Sequence, residues 1–289
     1  MKVEQLINYG IVNIDKPPGP TSHQVSDFVK RILKLKKAGH GGTLDPNVTG
    51  VLPVALGDAT RIVQVLLLGG KEYVGIMHLH KPVEEKIVKR TIKKYFTGKI
   101  KQIPPIKSAV KRQEREREIY SFDILEIDGQ DVLFRVACQA GTYIRKLCHD
   151  IGKQLEVGAH MSQLRRTKVG PFDESTLVTL HDLKDAYEIW KETGKEEFLR
   201  HCIQPIENTI KNVSKVYVQD SAVESLIHGR DLAIPGIVKM DEFLKDDVIA
   251  IMSQKKLVAL GIAVMPTEQI EKKKKGVAVK THKVFLKEK

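Results

Sequence analysis

Two hydrophobic periodicities run through this chain without a fixed alternation between them. "KEYVGIMHLH" (71–80) alternates like a strand, and "SFDILEIDGQDVLFRVACQ" (121–139) reads as a hairpin turning near Asp128 and Gly129, with Val132, Phe134, Val136 and Cys138 on one face. "YGIVNID" (9–15) and "VLPVALG" (51–57) read as further strands. "TSHQVSDFVKRILKL" (21–35) instead spaces Val25, Phe28, Val29, Ile32 and Leu33 along a helix, with Thr21 and Gln24 placed for a capping box. "DATRIVQVLLL" (58–68), capped by Asp58, and "EEKIVKRTIKKYF" (84–96) are also expected to be helical. Strands and helices mix without strict βαβ repetition, so the expected fold class is α+β.

Between the first helix and the "VLPVALG" strand lies "AGHGGTLDPNVTG" (38–50), with four glycines and one carboxylate, Asp45, directly before Pro46. Pro46 biases Asp45 toward extended or turn geometry, and the glycines admit backbone conformations that other residues resist. The residues leave two readings open: an ordinary Asp-Pro turn, or a loop shaped around one carboxylate.

At 289 residues and 42% hydrophobic, the chain has room for a substantial core and two domains. Its 48 Lys and Arg against 36 Asp and Glu give a formal charge of +12, which favours a polyanionic partner, nucleic acid before an acidic membrane. With 6% aromatics, binding of single strands by stacking alone is disfavoured, and folded RNA held through its phosphates fits better. No apolar run reaches membrane length and no secretory signal opens the sequence, so the cytoplasm is expected. Cys138, Cys148 and Cys202 form no CxxC pair and read as core residues.

"AGTYIRKLCHDIGKQLEVGAH" (140–160) puts Ile144, Leu147, Cys148, Ile151 and Leu155 on one helical stripe, with Arg145 flanking it in the first turn if Thr142 is the cap. A cation there opposes the helix dipole, which gives a specific anion a reason to be nearby. His78 and His80 share a strand face, but no further ligands are evident and a metal site is not expected. "LGGKE" lacks the first glycine and the Ser/Thr of a P-loop, and Asn47 stands where an aspartyl-phosphate loop needs a second aspartate.

Taken in order, "GIVNIDKPPGPTS", "GHGGTLDPNVTGVLPVALGDATR", "KEYVGIMHLH", "IPPIKSAVKR" and "AGTYIRKLCHDIGKQLEVGAHMSQLRRTKVGPF" resemble the successive motifs of the TruB-type pseudouridine synthases. From "VTLHDLKDAYEIWKETG" onward the chain is more similar to the archaeal and eukaryotic dyskerin branch, the catalytic subunit of box H/ACA ribonucleoproteins. "VYVQDSAVESLIHGRDLAIPGI", "LVALGIAVM" and "VFLK" resemble a PUA domain. The resemblance implies a catalytic domain over 1–210, with a mixed β-sheet and flanking helices, and a small, mostly β PUA domain over 215–289, joined by the linker-like "PIENTIKNVS" (205–214).

It also implies roles. Asp45 matches the catalytic aspartate that converts uridine in RNA to pseudouridine, and Arg145 the arginine that holds its charge. Tyr73 matches the residue packed against the flipped base; Tyr143 and Leu164 line the pocket, His40 helps grip the flipped nucleotide, and Lys16 supports the site. The reaction is an isomerisation, so no cofactor or metal is expected. The implied partners are an H/ACA guide RNA, a uridine-containing substrate in rRNA or tRNA, and small zinc-ribbon-like, Gar-type and kink-turn-binding proteins, with no membrane.

Some features depart from the family. "QEREREI" (113–119) is charged and lacks the glycine TruB-type enzymes carry there, which favours a guide-bound substrate over stand-alone gripping of a tRNA loop. Arg230 stands where alanine is frequent, and "EKKKKG" (271–276) reads equally as a phosphate-contacting loop or a solvated turn. Two other readings stand beside the guided enzyme: a stand-alone tRNA pseudouridine-55 synthase and a non-catalytic RNA scaffold.

Overall fold

A computed structural model describes residues 2–104 and 111–286. The middle of the "IPPIKSAVKR" motif, 105–110, lies outside the described residues.

The first part of the chain runs α1 (Val3–Tyr9), β1 (Gly10–Lys16), α2 (Ser22–Ile32), β2 (Ala38–His40), β3 (Thr49–Leu56), α3 (Val63–Leu68), β4 (Lys71–Leu79), α4 (Glu85–Tyr95) and β5 (Gly98–Gln102). It continues through β6 (Arg115–Asp128), β7 (Asp131–Cys138), α5 (Ile144–Gln154), β8 (Ala159–Val169), β9 (Phe172–Asp173), α6 (Leu180–Thr193), α7 (Glu197–Cys202) and β10 (Ile203–Pro205). Its strands make one mixed sheet in the order β10-β1-β3-β8-β4-β7-β6-β5, with β2 against β3 and β9 against β8. The second part runs β11 (Lys215–Val218), α8 (Asp220–Ile227), β12 (Leu232–Ala233), β13 (Ile237–Met240), β14 (Val248–Ser253), β15 (Lys256–Ala263), α9 (Thr267–Glu271) and β16 (Val277–Val284). Its strands form a separate sheet, β12-β16-β15-β14-β11-β13. The α+β class holds.

Local chemistry accounts for most of these elements. Thr21 and Gln24 make the full capping box of α2, whose Val25 and Val29 are buried, as is Leu33 just past its end. Val132, Phe134, Val136 and Cys138 all enter one core, while Gly129 (φ +56°) turns the β6–β7 hairpin in the left-handed region that glycine tolerates. β3 is apolar without alternation because both its faces are covered: Leu52 and Val54 pack under α1, α2 and α6, and Val51 and Ala55 face the second sheet.

Three local expectations are corrected. Asp58 caps no helix: residues Gly57–Ile62 form a 3-10 turn begun at Leu56, and Asp58 pairs instead with Lys37 at 3.2 Å. The residue preceding α5 is Tyr143 rather than Thr142, whose hydroxyl donates back to the Gln139 carbonyl. The charged "QEREREI" segment enters β6 at Arg115, laddered to β5. "PIENTIKNVS" is no free linker. Its residues Ile206–Ile210 form a 3-10 turn whose Ile206 and Ile210 are buried in a cluster with Ile11, Ile62 and Leu66 from the first sheet's side and Met252, Leu257, Leu260 and Phe285 from the second. Tyr9 Oη donates to the Phe285 carbonyl (2.8 Å) and an Arg61 guanidinium nitrogen to the Val284 carbonyl (2.8 Å). The two sheets therefore share apolar core.

Candidate active site

The loop between β2 and β3 is held from beneath. Lys16, buried completely at the end of β1, donates through Nζ to the carbonyls of Pro17 (2.9 Å), Pro46 (2.8 Å) and Val48 (2.9 Å). Three carbonyl dipoles replace the water such a cation loses. Ser22 Oγ accepts from the Leu44 amide at 2.8 Å, and the Val48 amide donates to the Asp45 carbonyl at 3.0 Å, closing the Asp45–Pro46 turn. Leu44 points into the core while the Asp45 side chain stays 53% exposed. The loop is thus rigidly anchored and presents one carboxylate to solvent.

Arg145 meets that carboxylate across 100 residues of chain: its Nη2 donates to Asp45 Oδ2 at 2.5 Å. Gln102 at the end of β5 fixes the approach, accepting from the Tyr143 amide (3.0 Å) and donating to the Tyr143 carbonyl (3.3 Å). This pins the residue before α5, and Arg145 follows in the first turn. With the guanidinium 64% exposed, the ion pair is open to solvent rather than buried.

The third component lies in the sheet. Tyr73 on β4 is buried between Val136 of β7 and Arg166 of β8, and burial pushes its hydroxyl pKa up. Arg166, 1% exposed, donates from Nε to the Val51 carbonyl (2.8 Å) and from Nη2 to the Gly42 carbonyl (3.1 Å), and it pairs with Tyr73 across the β4–β8 ladder. One guanidinium so ties β3 to the Asp45 loop beside Tyr73. Leu164, two residues earlier on β8, packs at Gly75, where a Cβ would come within 2.7 Å of it. His40 at the end of β2 accepts from the Gly42 amide at 3.4 Å, and burial, then Arg166 and His23, hold its imidazole below the usual histidine range.

Compared with known proteins, residues 30–144 match the N-terminal domain of the TruB family of pseudouridylate synthases, and 145–211 match the tRNA pseudouridylate synthase B C-terminal domain. Residues 214–285 match a PUA domain, and 2–26 a DKCLD domain. A probable tRNA pseudouridine synthase B of Thermococcus kodakarensis is 58% identical over 288 residues, covering 98% of this chain and 85% of the relative. The chain belongs to the TruB family of pseudouridine synthases. A relative of the same description from Pyrococcus abyssi is 57% identical over 98% of this chain and 86% of its own. Among solved structures, a Cbf5-Nop10-Gar1 complex contains a chain matching 99% of this one and 88% of its own length, at 55% identity and TM-score 0.96. An H/ACA RNP bound to a substrate RNA containing 2'-deoxyuridine matches with 52% identity, TM-score 0.92 and coverage of 99% and 88%.

In this TruB-family enzyme the structure brings Asp45 and Arg145 into contact, sets Lys16 directly beneath the Asp45 turn, and links His40 and Tyr73 to it through Gly42 and Arg166. Tyr143 joins by its backbone, through Gln102. Sequence reasoning missed Arg166, Gln102 and Ser22. A signal for Arg166 existed in "LRRT": consecutive strand residues face opposite sides, so two adjacent arginines cannot both reach water on one face. Arg165 takes the outer side, paired with Asp15 (2.9 and 3.1 Å) and Glu174 (2.6 Å). Lys71 is also buried, donating to the Leu66, Leu67 and Gly69 carbonyls at the end of α3, and burial lowers its pKa to about 8. His78 pairs with Asp131 and His80 with His160; among the described residues no group of His, Cys, Asp and Glu is arranged to hold a metal. No described helix is long and apolar enough to cross a membrane.

Proposed function

We propose that this pseudouridine synthase modifies uridines in rRNA, and to a lesser extent tRNA, as the catalytic subunit of an RNA-guided cytoplasmic particle. The observation that carries the site assignment is the Asp45–Arg145 contact, a lone presented carboxylate gripped by an arginine at the mouth of an otherwise backbone-anchored loop. Asp45 is the catalytic carboxylate. It begins the reaction by attacking the sugar carbon or by removing a sugar proton. The N1–C1′ bond of the uridine breaks, the base turns over, C5 bonds to C1′, and the C5 proton is lost as N1 gains one. Arg145 orients the carboxylate through its planar fork. Tyr73 and Leu164 form the surface against which the flipped base lies, Tyr143 closes its side, His40 grips the displaced nucleotide, and Lys16 keeps the loop in shape.

We assign 1–210 to catalysis and 215–289 to holding the guide. The likeness to chains solved in H/ACA particles supports guide dependence and accessory subunits like the Nop10 and Gar1 of those complexes. The tRNA description carried by the relatives supports a second reading, direct modification of tRNA. The test supplies the protein, with accessory subunits, with one guide and then with a guide whose pairing sequence is redesigned, and maps the modified uridine. The modified position is expected to follow the guide and to vanish with Asp45→Asn. Modification of one tRNA position regardless of guide would establish the second reading.

A further inference from the structure

Three cations are buried around the loop that presents Asp45. Lys16 holds it from below at Pro46 and Val48, and Lys71 of β4 and Arg166 of β8 lie under its glycines. At Gly42 (φ +133°) an added Cβ would stand 3.5 Å from Nη1 of Arg166 and 3.7 Å from Cε of Lys71, so the backbone just before Asp45 rests on both side chains. Lys71 Nζ donates to the carbonyls of Leu66 (3.3 Å), Leu67 (2.7 Å) and Gly69 (2.7 Å), and Arg166 to those of Val51 and Gly42. Among the described residues none of the three cations has a carboxylate within ion-pair distance, and Asp45 itself is taken by Arg145. Carbonyl dipoles replace lost hydration without cancelling charge, and like charges buried side by side are costly. After burial itself, the charge of Arg166 is what most holds down the protonated forms of Lys16, His40 and Lys71, and it opposes the rise that burial gives the Tyr73 hydroxyl.

The place of this charge in the sheet gives it a use. Tyr73 faces Arg166 across the β4–β8 ladder, Lys71 precedes Tyr73 by one strand period and so shares its face, and Leu164 stands opposite Gly75 on that face. This is the surface assigned above to the flipped base. We propose that Arg166 and Lys71 are positioning residues of the reaction, supplying a fixed positive field beneath Tyr73 that stabilises the uracil anion formed when the N1–C1′ bond breaks. Cleavage leaves the bonding pair on N1 and the base anionic, while C1′ is taken by the Asp45 carboxylate or the sugar gives a proton to it. As C5 bonds to C1′ the carboxylate is released or the proton returned, and loss of the C5 proton with gain of one at N1 makes the base neutral again. The base is neutral before and after, so a preset positive charge favours the charged stage between and costs no reorganisation when it forms. The inference rests on the reading of Asp45 as the reacting carboxylate.

The test is single-turnover N1–C1′ cleavage at saturating RNA by the assembled protein with its guide and accessory subunits. Lys71→Met, which removes the charge at similar volume, is expected to slow cleavage about tenfold with RNA affinity within about twofold of wild type, while Lys71→Arg keeps most of the rate. Replacing the target uridine by 5-fluorouridine, whose base leaves as a more stable anion, should shrink the Lys71→Met deficit to about threefold or less when both RNAs are compared below about pH 7. A deficit of equal size on the two RNAs overturns the proposal, because lost packing slows both alike. A pH profile gives a second readout. Burial, then Arg166, lowers Lys71 to about 8. Around it stand Arg166 of β8, Cys138 of β7, pushed up to about 11 by burial, Tyr73 of β4 and Tyr120 of β6, both raised by burial, and the carbonyl end of α3. The wild-type rate should therefore fall above about pH 8 as Lys71 gives up its proton, and Lys71→Arg should extend the plateau. Coincident profiles for wild type and Lys71→Arg overturn the proposal, and this comparison decides even where Lys71→Met does not fold. Conversion surviving Asp45→Asn would instead overturn the reading of the site beneath it.

Discussion

The Nζ of Lys16 lies 2.8 Å from the carbonyl oxygen of Pro46, the residue after Asp45, so the Asp45 loop rests on a buried cation at the end of β1. Removing the ammonium takes a donor from three carbonyls, of which that of Pro46 keeps the Gly19 amide at 3.0 Å. Lys16→Met, similar in volume, is expected to cost about 2 kcal/mol through lost charge-assisted hydrogen bonds, which lowers Tm by roughly 4–8 °C in a protein of this size. Conversion should fall further than RNA affinity, because the loop carries the carboxylate and not the bulk of the phosphate contacts. Calorimetry and RNA binding on the same preparation check both. A variant with unaltered Tm and full activity would show that the carbonyl contacts do not hold the loop.

The Asp45–Arg145 pair behaves differently because both partners are largely in water. Exposed ion pairs contribute about 0–1 kcal/mol, so Arg145→Lys should leave Tm almost unmoved. Activity should nonetheless fall at least tenfold, ~1.4 kcal/mol of barrier, since lysine cannot present a planar fork to the carboxylate. Single-turnover conversion within about threefold of wild type would remove the orienting role from Arg145.

His40 gives the fold an acid-side pH dependence. Its imidazole is held below the ordinary 6.5 by burial, with Arg166 and His23 adding to the effect. The unfolded chain therefore takes up this proton at higher pH than the folded one. The stability this group confers is full above about 6.5 and is lost as pH falls through the depressed folded value. Urea unfolding at a series of pH values from about 7.5 down to 5 should show a shallower acid loss in His40→Asn than in wild type. Parallel profiles would mean that His40 titrates alike in both states.

Removing the second sheet is expected to damage the first. Truncation after residue 213 would uncover Ile11, Ile62, Leu66 and Ile206, each of which contributes about 1.5–3 kcal/mol when fully buried. The shortened chain should unfold at markedly lower temperature, or aggregate, as well as losing guide affinity. A cooperative unfolding transition at the wild-type Tm would show the catalytic part to be independently stable.

The sequence by itself determined the elements and the chemistry. Periodicity placed β4, the β6–β7 hairpin and the stripes of α2 and α5, because side-chain spacing of 2 or 3.6 is a local property. The family motifs marked Asp45, Arg145 and Tyr73 as the residues expected to carry the reaction. What only the tertiary structure decided was that Arg166 lies beneath them and how Lys16, already marked by its motif, holds the loop. Arg166 and Lys16 are charged residues in segments where local pattern says surface, and they are buried because carbonyls from β3 and from the loop converge on them from distant parts of the chain. Asp58 lost its capping role to the 3-10 turn Gly57–Ile62, whose cap is Leu56, and the apparent linker at 205–214 became core when two sheets closed over Ile206 and Ile210. Such outcomes depend on contacts far apart in the chain, from 30 residues between Lys16 and Pro46 to 276 between Tyr9 and Phe285, and no local spacing encodes which buried carbonyl a lysine or arginine will find.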